Sequence, residues 1–366
     1  MQITITREGL MKPLGYVTGV VERRQTLPVL SYVLLRQQDG KMTLTGTDLE
    51  IEIVAMVDQG GTGNAEMMLP ARKLFDICRA LPGDAEINIK KEGEKSIVKS
   101  GKSRFALTTM PVADFPVLQA SQWEQALTLN QKTMKQLLEQ THFCMAQQDV
   151  RYYLNGLLLE LSGKKIRAVA TDGHRMAVSE AELDKTVKGE KQVIMPRKGV
   201  QEMMRLLADT DDPVEIEFGT NHLRAKTSEF IFTSKLIDGR YPDYNKVIPN
   251  KQSKKLDLDR NKFRETLARV AILSSEKYRG VRLSLGNKLL RLTAHNPEQE
   301  EAQEEIATDY SGEGMEIGFN VNYMIEAISA LHSDKVEFGL NDPNSSCTLI
   351  SPDTRYPQYV IMPMRL

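Results

Sequence analysis

The chain has 366 residues, 27% of them charged, a formal net charge of −1 and three cysteines. That length admits two or three domains, each with its own core. Scattered and odd in number, Cys78, Cys144 and Cys347 argue against a disulfide framework or a CxxC metal site and for a reducing compartment. No apolar run approaches the roughly 20 residues of a membrane span, and Met1 to Thr6 lack the basic and apolar segments of a signal peptide.

In chain order, Ile3-Thr4-Ile5-Thr6 alternates as a strand, and Leu10, Leu14, Val17 and Val21 then fall at helical spacing. Pro13 fits the first turn of that helix. Asp39-Gly40 predicts a hairpin, and Gly60-Gly61-Thr62-Gly63-Asn64 a flexible connection. A second helix follows Pro70-Ala71-Arg72-Lys73, with Leu74, Ile77, Cys78 and Leu81 on one face. Lys99, Lys102 and Arg104 surround a late strand.

The order then recurs. Leu127-Thr128-Leu129-Asn130 is a strand, Met134, Leu138 and Met145 have helical spacing, and Leu157 to Leu161 is a strand leading to a hairpin at Ser162-Gly163. Pro196-Arg197-Lys198 precedes a helix carrying Val200, Met203, Met204 and Leu207. A third round runs through Leu256 to Asp259, a helix with Phe263, Leu267 and Val270, the strand Val281 to Leu285, a hairpin at Gly286-Asn287, and a helix with Met324, Ile328 and Leu331. Between the rounds, Thr47-Asp48-Leu49-Glu50, Thr171-Asp172-Gly173-His174 and Ala294-His295-Asn296-Pro297 are spaced by about 124 residues, the size of a small domain. Asp114-Phe115-Pro116, Arg240-Tyr241-Pro242 and Arg355-Tyr356-Pro357 keep the same register. The reading is α+β: three tandem domains over 1–120, 121–250 and 251–366, each with two helices on one face of a mostly antiparallel sheet. Three copies of one domain suit a scaffold with a repeated surface better than an enzyme with one asymmetric site.

Charge is distributed unevenly. Four segments carry an excess of bases: residues 7–24, the helices after Pro70 and Pro196, and residues 260–279. Together they have a net charge of roughly +10, so the remainder is acidic. The helix after Asn320 breaks the pattern, with Glu326 and no base. Any one such helix fits a solvated face. Four in a neutral chain point to a surface facing a polyanion. No base-reading motif accompanies them, which fits phosphate contact without sequence readout. Tyr152-Tyr153, beside Gln148 and Arg151, suits either contact with a base or sugar or a strand start packed on the core.

Catalytic motifs are missing. Asp172-Gly173-His174-Arg175 resembles an acid–base pair, yet the first copy has no histidine there. The five histidines show no HxxxH spacing, and Ser274-Ser275-Glu276-Lys277 matches S-x-x-K without its companion motifs. No dinucleotide or Walker A glycine pattern occurs. Two rivals remain: a monomeric three-domain adaptor with solvated basic helices, and a degenerate hydrolase using Asp172 and His174. Glu298, Glu300, Glu301, Glu304 and Glu305 form an acidic block in the third copy, complementary to the basic strand of the first, which favours head-to-tail association. The apolar tail from Tyr359 to Leu366 predicts a strand that is tied down, and its methionines suit an adaptable groove.

Several segments together resemble the bacterial β sliding clamp family, the processivity subunits of DNA polymerase III. They are Leu44 to Glu50, Gln148 to Gly156, Ala170 to Arg175, Asn296 to Ala302 and Val360 to Leu366. The resemblance covers the whole chain. It implies a head-to-tail homodimer forming a closed ring, helices inside and sheets outside, through which duplex DNA threads without sequence preference. It also implies the replicative polymerase catalytic subunit, the clamp loader and other proteins bearing short clamp-binding peptides as partners. Neither catalytic residue, metal, cofactor nor membrane is implied, and the location is cytoplasmic, at the nucleoid.

By the resemblance, Leu154, Thr171, Gly173, His174, Arg175, Met176, Pro242, Val247, Ser346, Val360, Met362, Pro363, Met364 and Arg365 form the peptide pocket. Met176 stands where leucine is commoner, and Lys246 where arginine is. Arg24, Arg72, Gln148, Tyr152, Tyr153, Arg197 and Lys198 correspond to DNA-facing positions. Lys73, Arg104, Phe105, Leu107, Ile272, Leu273, Glu298 and Glu300 correspond to the dimer interface.

Overall fold

The computed structural model describes residues 2–21, 27–58, 64–118, 122–249 and 251–365. The expected boundaries near 120 and 250, the Gly60 to Gly63 stretch, Arg24 and Leu366 lie outside the described residues.

The first repeat comprises β1 (Gln2–Thr6), α1 (Arg7–Val17), β2 (Tyr32–Gln38), β3 (Lys41–Thr47), β4 (Ile51–Val57), β5 (Ala65–Pro70), α2 (Ala71–Ala80), β6 (Glu86–Glu92), β7 (Lys95–Ser100) and β8 (Ser103–Thr108). The second comprises β9 (Trp123–Asn130), α3 (Gln131–Glu139), β10 (Gly156–Ser162), β11 (Lys165–Thr171), β12 (Arg175–Glu182), β13 (Glu190–Pro196), α4 (Arg197–Leu206), β14 (Pro213–Gly219), β15 (His222–Lys226) and β16 (Phe230–Lys235). The third comprises β17 (Lys254–Asp259), α5 (Arg260–Val270), β18 (Gly280–Gly286), β19 (Leu289–His295), β20 (Glu301–Ala307), β21 (Met315–Asn320), α6 (Val321–Ser329), β22 (Lys335–Leu340), β23 (Cys347–Ile350) and β24 (Gln358–Ile361).

By contacts the chain divides into two compact units, residues 1–132 with 201–236, and residues 133–200 with 237–366. Within the first unit lie a four-stranded sheet, β1-β6-β7-β8, and an eight-stranded sheet, β5-β2-β3-β4-β16-β15-β14-β9. The second unit has an eight-stranded sheet, β13-β10-β11-β12-β24-β23-β22-β17, and a four-stranded one, β20-β19-β18-β21. The central repeat thus lends one half-sheet to each unit. Its β16 runs antiparallel to β4, with Phe232 opposite Ile53, and its β12 runs antiparallel to β24, with Met176 opposite Val360.

Sequence periodicity explains the elements. Alternate residues of β4 are buried, Ile51, Ile53, Ala55 and Val57, as a sheet with one covered face requires. On α5, Phe263, Leu267 and Val270 are buried at helical spacing. Phe263 and Phe319 pack on Phe338 with ring centroids 5.8 and 6.3 Å apart. Burying each such ring contributes roughly 1.5–3 kcal/mol. Caps start the helices where the strands end: Thr6 accepts from the Gly9 amide at 3.1 Å, and Asp259 from the Lys262 amide at 2.7 Å.

Leu81, Leu207 and Leu331 lie one or two residues past the ends of α2, α4 and α6, and four larger expectations need correction. The first helix ends at Val17, so Val21 is buried outside it, and Pro13 lies in its interior, where it removes one ladder bond. Met145 lies beyond α3: the Thr141 hydroxyl donates to the Leu137 carbonyl at 2.6 Å, and a short 3-10 turn, His142–Cys144, follows. Tyr152 and Tyr153 open another 3-10 turn, Tyr152–Asn155, instead of a strand. Asp39-Gly40 turns its hairpin with φ of 51° and 75°, but the later hairpins turn one residue further on, at Gly163-Lys164 and Asn287-Lys288, because Ser162 and Gly286 still pair in their strands.

Candidate peptide cleft and assembly surfaces

The repeated Thr-Asp landmark is a loop built the same way twice. The Thr171 hydroxyl donates to the Arg175 carbonyl at 2.7 Å and accepts from the Gly173 amide at 3.1 Å. Asp172 Oδ1 accepts from the amides of His174 and Arg175, both at 2.9 Å. In the first repeat Thr47 and Asp48 make the same four bonds to residues 49–51. Both loops need a left-handed residue: Gly173 has φ of 87°, Leu49 of 77°. A Cβ on Gly173 would stand 3.0 Å from the Arg151 guanidinium, so glycine also makes room there. Asp172 is committed to this loop, its Oδ2 accepting from Arg175 Nε at 3.2 Å, which leaves the hydrolase reading of Asp172 and His174 without its acid–base geometry.

In the second unit this loop borders a cleft of about 200 Å³ lined by Arg151, Tyr153, Leu154, Thr171, Gly173, His174, Arg175, Met176, Pro242, Val247, Val360 and Met362. Leu154, Met176 and Val360 form its buried apolar floor, continuous with the core through Val178, Ile194 and Tyr241. Val247 and Met362 stand exposed at its rim. Thr171 is held from behind, its amide donating to the Tyr241 hydroxyl at 3.0 Å. Beside the cleft, Arg151 donates to Asp149 at 2.8 and 3.0 Å, and these bonds hold the Asp149 carboxyl down at about 2.

Ten of the fourteen pocket positions meet here. Met364 and Arg365 instead line a second cleft, about 360 Å³, with Ser275, Tyr278, Gly280, Arg282, Thr293, Ala294 and His295. The tail turns away because the Met364 amide donates to the Gly318 carbonyl at 2.8 Å. Ser346 and Pro363 line neither cleft. Sequence reasoning missed Arg151 as a wall and gave Tyr153 another role; the signal available was their closeness in sequence to Leu154.

Of the expected DNA-facing residues, Arg72 is exposed on α2 in the first unit and donates to the Val21 carbonyl at 2.9 Å. In the second unit Gln148 and Tyr152 are exposed, while Tyr153, Arg197 and Lys198 are half-buried. Arg197 donates to the Met145 carbonyl at 3.1 Å.

The expected interface residues are divided between the two units. In the first unit Arg104 and Phe105 lie on edge strand β8, with Lys73 exposed on α2. Leu107 is only 8% exposed, so it belongs to the core of its own repeat. In the second unit Ile272 is 76% exposed beside half-buried Leu273, and Glu298 and Glu300 are exposed just before edge strand β20. Part of the acidic block is already paired: Glu304 accepts from Arg269 at 2.8 Å and Glu305 from Arg291 at 2.9 Å.

Comparison with known proteins agrees in all three repeats. Family models of the DNA polymerase III beta subunit match residues 1–119 (N-terminal domain), 128–243 (central domain) and 245–365 (C-terminal domain). The chain belongs to the DNA polymerase III beta subunit family. It is a beta-type sliding clamp in fold and serves replication processivity. The beta sliding clamps of Pseudomonas aeruginosa and Escherichia coli are each 49% identical to it, with 100% of both chains covered. The crystal structure of the Pseudomonas aeruginosa subunit superposes with a TM-score of 0.97 at 49% identity, and that of the Caulobacter crescentus pol III beta with 0.94 at 35%, each covering 100% of both chains. A further Pseudomonas aeruginosa clamp structure, at TM-score 0.97, 49% identity and 100% coverage of both chains, is bound to griselimycin.

Proposed function

We propose that two copies of this chain close head to tail into a ring around duplex DNA, and that the cleft beside Thr171 docks extended peptides of the polymerase catalytic subunit, the clamp loader and other partners. The observation that carries the assembly is the strand order. β4, β12 and β20 are equivalent strands of the three repeats, as are β16, β24 and β8. The chain pairs β4 with β16 and β12 with β24, leaving β20 and β8 each at the end of a four-stranded sheet. A β20–β8 pairing between two copies completes the same eight-stranded pattern, and done reciprocally it closes the assembly. The repeat boundaries near 120 and 250 belong to the same reading.

Exposed Ile272 and the acids Glu298 and Glu300 on one edge suit the basic Lys73 and Arg104 with Phe105 on the other. Arg24, Arg72, Gln148, Tyr152, Tyr153, Arg197 and Lys198 would meet the DNA backbone. Retention is topological, so each phosphate contact can be weak, and diffuse contacts keep the barrier to sliding low. A polymerase tethered to the ring re-engages at high effective concentration. The chain acts without catalysis or cofactor, in the cytoplasm at the nucleoid. Among the described residues no helix is long and apolar enough to cross a membrane.

Sedimentation equilibrium of the wild-type chain at micromolar concentration tests the assembly. The expected mass is twice the 41.3 kDa of one chain. A monomer would favour the three-domain adaptor.

A further inference from the structure

The helix after Asn320 is the exception to the basic pattern, and its side chains suggest what it does instead. Residues at the third and sixth positions of α2, α4 and α6 correspond: Lys73, Gly199 and Tyr323, then Asp76, Glu202 and Glu326. In α2 and α4 the acid pairs three residues on within its own helix, Asp76 with Arg79 and Glu202 with Arg205, both at 2.8 Å. The corresponding residue of α6 is Ser329, which carries no charge. Glu326 reaches instead across 151 residues of sequence to Arg175 Nη1. Tyr323, where α2 has a lysine, stacks on the same guanidinium, its ring centroid 4.2 Å away.

Arg175 lines the peptide cleft, but its polar end is already engaged. Nη2 donates to the Phe143 carbonyl at 2.8 Å, Nε to Asp172 at 3.2 Å and Nη1 to Glu326, and the Phe143 ring flanks it at 5.5 Å. Three of its five N–H groups are thereby committed to fixing the Thr171–Arg175 loop. We infer that α6 is a brace for the peptide cleft, with Glu326 and Tyr323 as positioning residues acting through Arg175. This rests on the peptide-docking reading of the cleft. In exchanging a lysine and an arginine for Tyr323 and Ser329, the third repeat gives up a basic helix and gains a preorganised loop, which lowers the ordering cost of binding.

The test uses the full-length protein and a fluorescein-labelled heptapeptide with adjacent Leu and Phe, read by anisotropy, with thermal melting on each sample. Glu326→Gln is expected to weaken binding by about five- to tenfold, the loss of one charge-assisted bond to a half-exposed carboxylate. Its melting temperature should fall by no more than about 2 °C, because one such bond is a small part of the stability of a chain this long. Tyr323→Leu should act in the same direction, and Glu202→Gln should have no effect. In an Arg175→Met background, Glu326→Gln should add nothing, because both act through one group. Glu326→Gln and Tyr323→Leu affinities within twofold of wild type, or additive effects in the double variant, would overturn the brace while leaving the cleft intact. A wild-type protein that fails to bind the peptide would overturn the docking reading itself.

Discussion

A chain carrying Ile272→Ala and Leu273→Ala is expected to remain monomeric at concentrations where the wild type dimerises. Ile272 is a large apolar side chain left 76% exposed on the 3-10 turn Ala271–Leu273, directly after α5, and Leu273 adjoins it. Exposed apolar residues clustered beside an unpaired sheet edge mark a contact surface. Truncating central anchors commonly costs about 2 kcal/mol or more each, so the pair should weaken each of the two contacts that close the dimer by about a thousandfold. Folding of the single chain should be little changed, since neither side chain fills its core. Leu107→Ala would behave differently: that residue is already buried within its own repeat, so its loss should lower the melting temperature as well. Sedimentation velocity with parallel thermal melts separates the two effects, and a double variant that stays dimeric would remove Ile272 and Leu273 from the interface.

How much of this was legible in the residues depends on range. The repeats were readable because their landmarks have local causes: Thr171-Asp172 and Thr47-Asp48 recur as the same hydrogen-bonded loop. That also limits the landmark. It marks a turn in two repeats, and the second lines a cleft because Leu154, Met176 and Val360 converge there from distant segments. The fold class followed from alternation and helical spacing. The early end of α1 and the exclusion of Met145 from α3 did not, since period alone carries no stop signal. The tail was read as one apolar strand lining one groove, yet bonds from Met362 to His174 and from Met364 to Gly318, both at 2.8 Å, divide it between two clefts. The role of Glu326 was invisible for the same reason: its partner lies 151 residues away, and only the missing base in its helix hinted at it.

Deleting residues 362–366 should abolish peptide binding and leave the dimer intact. The deletion removes Met362 from the cleft wall and the bond from its amide to the His174 carbonyl, which ties the loop to the tail. β24 ends at Ile361 and keeps Tyr359, Val360 and Ile361 in the core, so the eight-stranded sheet of the second unit should survive. Loss of the Met362 rim contact and a loop tether together should cost about a hundredfold or more in affinity. Polymerase processivity should fall with it. Peptide anisotropy and light scattering on one truncated sample provide the check. Unchanged affinity, or loss of the dimer with the affinity, would show that the tail has another role.

The central claim is topological retention, and its most direct measurement follows labelled clamp loaded by a clamp loader onto nicked circular DNA, before and after linearisation. Retention on the circle should survive salt that abolishes binding to linear duplex, because diffuse phosphate contacts weaken steeply with salt whereas a closed ring does not. Cutting the circle once should release the protein within the time needed to slide off an end. Release from the intact circle at the same salt as from linear DNA, or retention after cutting with a marked preference for one sequence, would contradict the account.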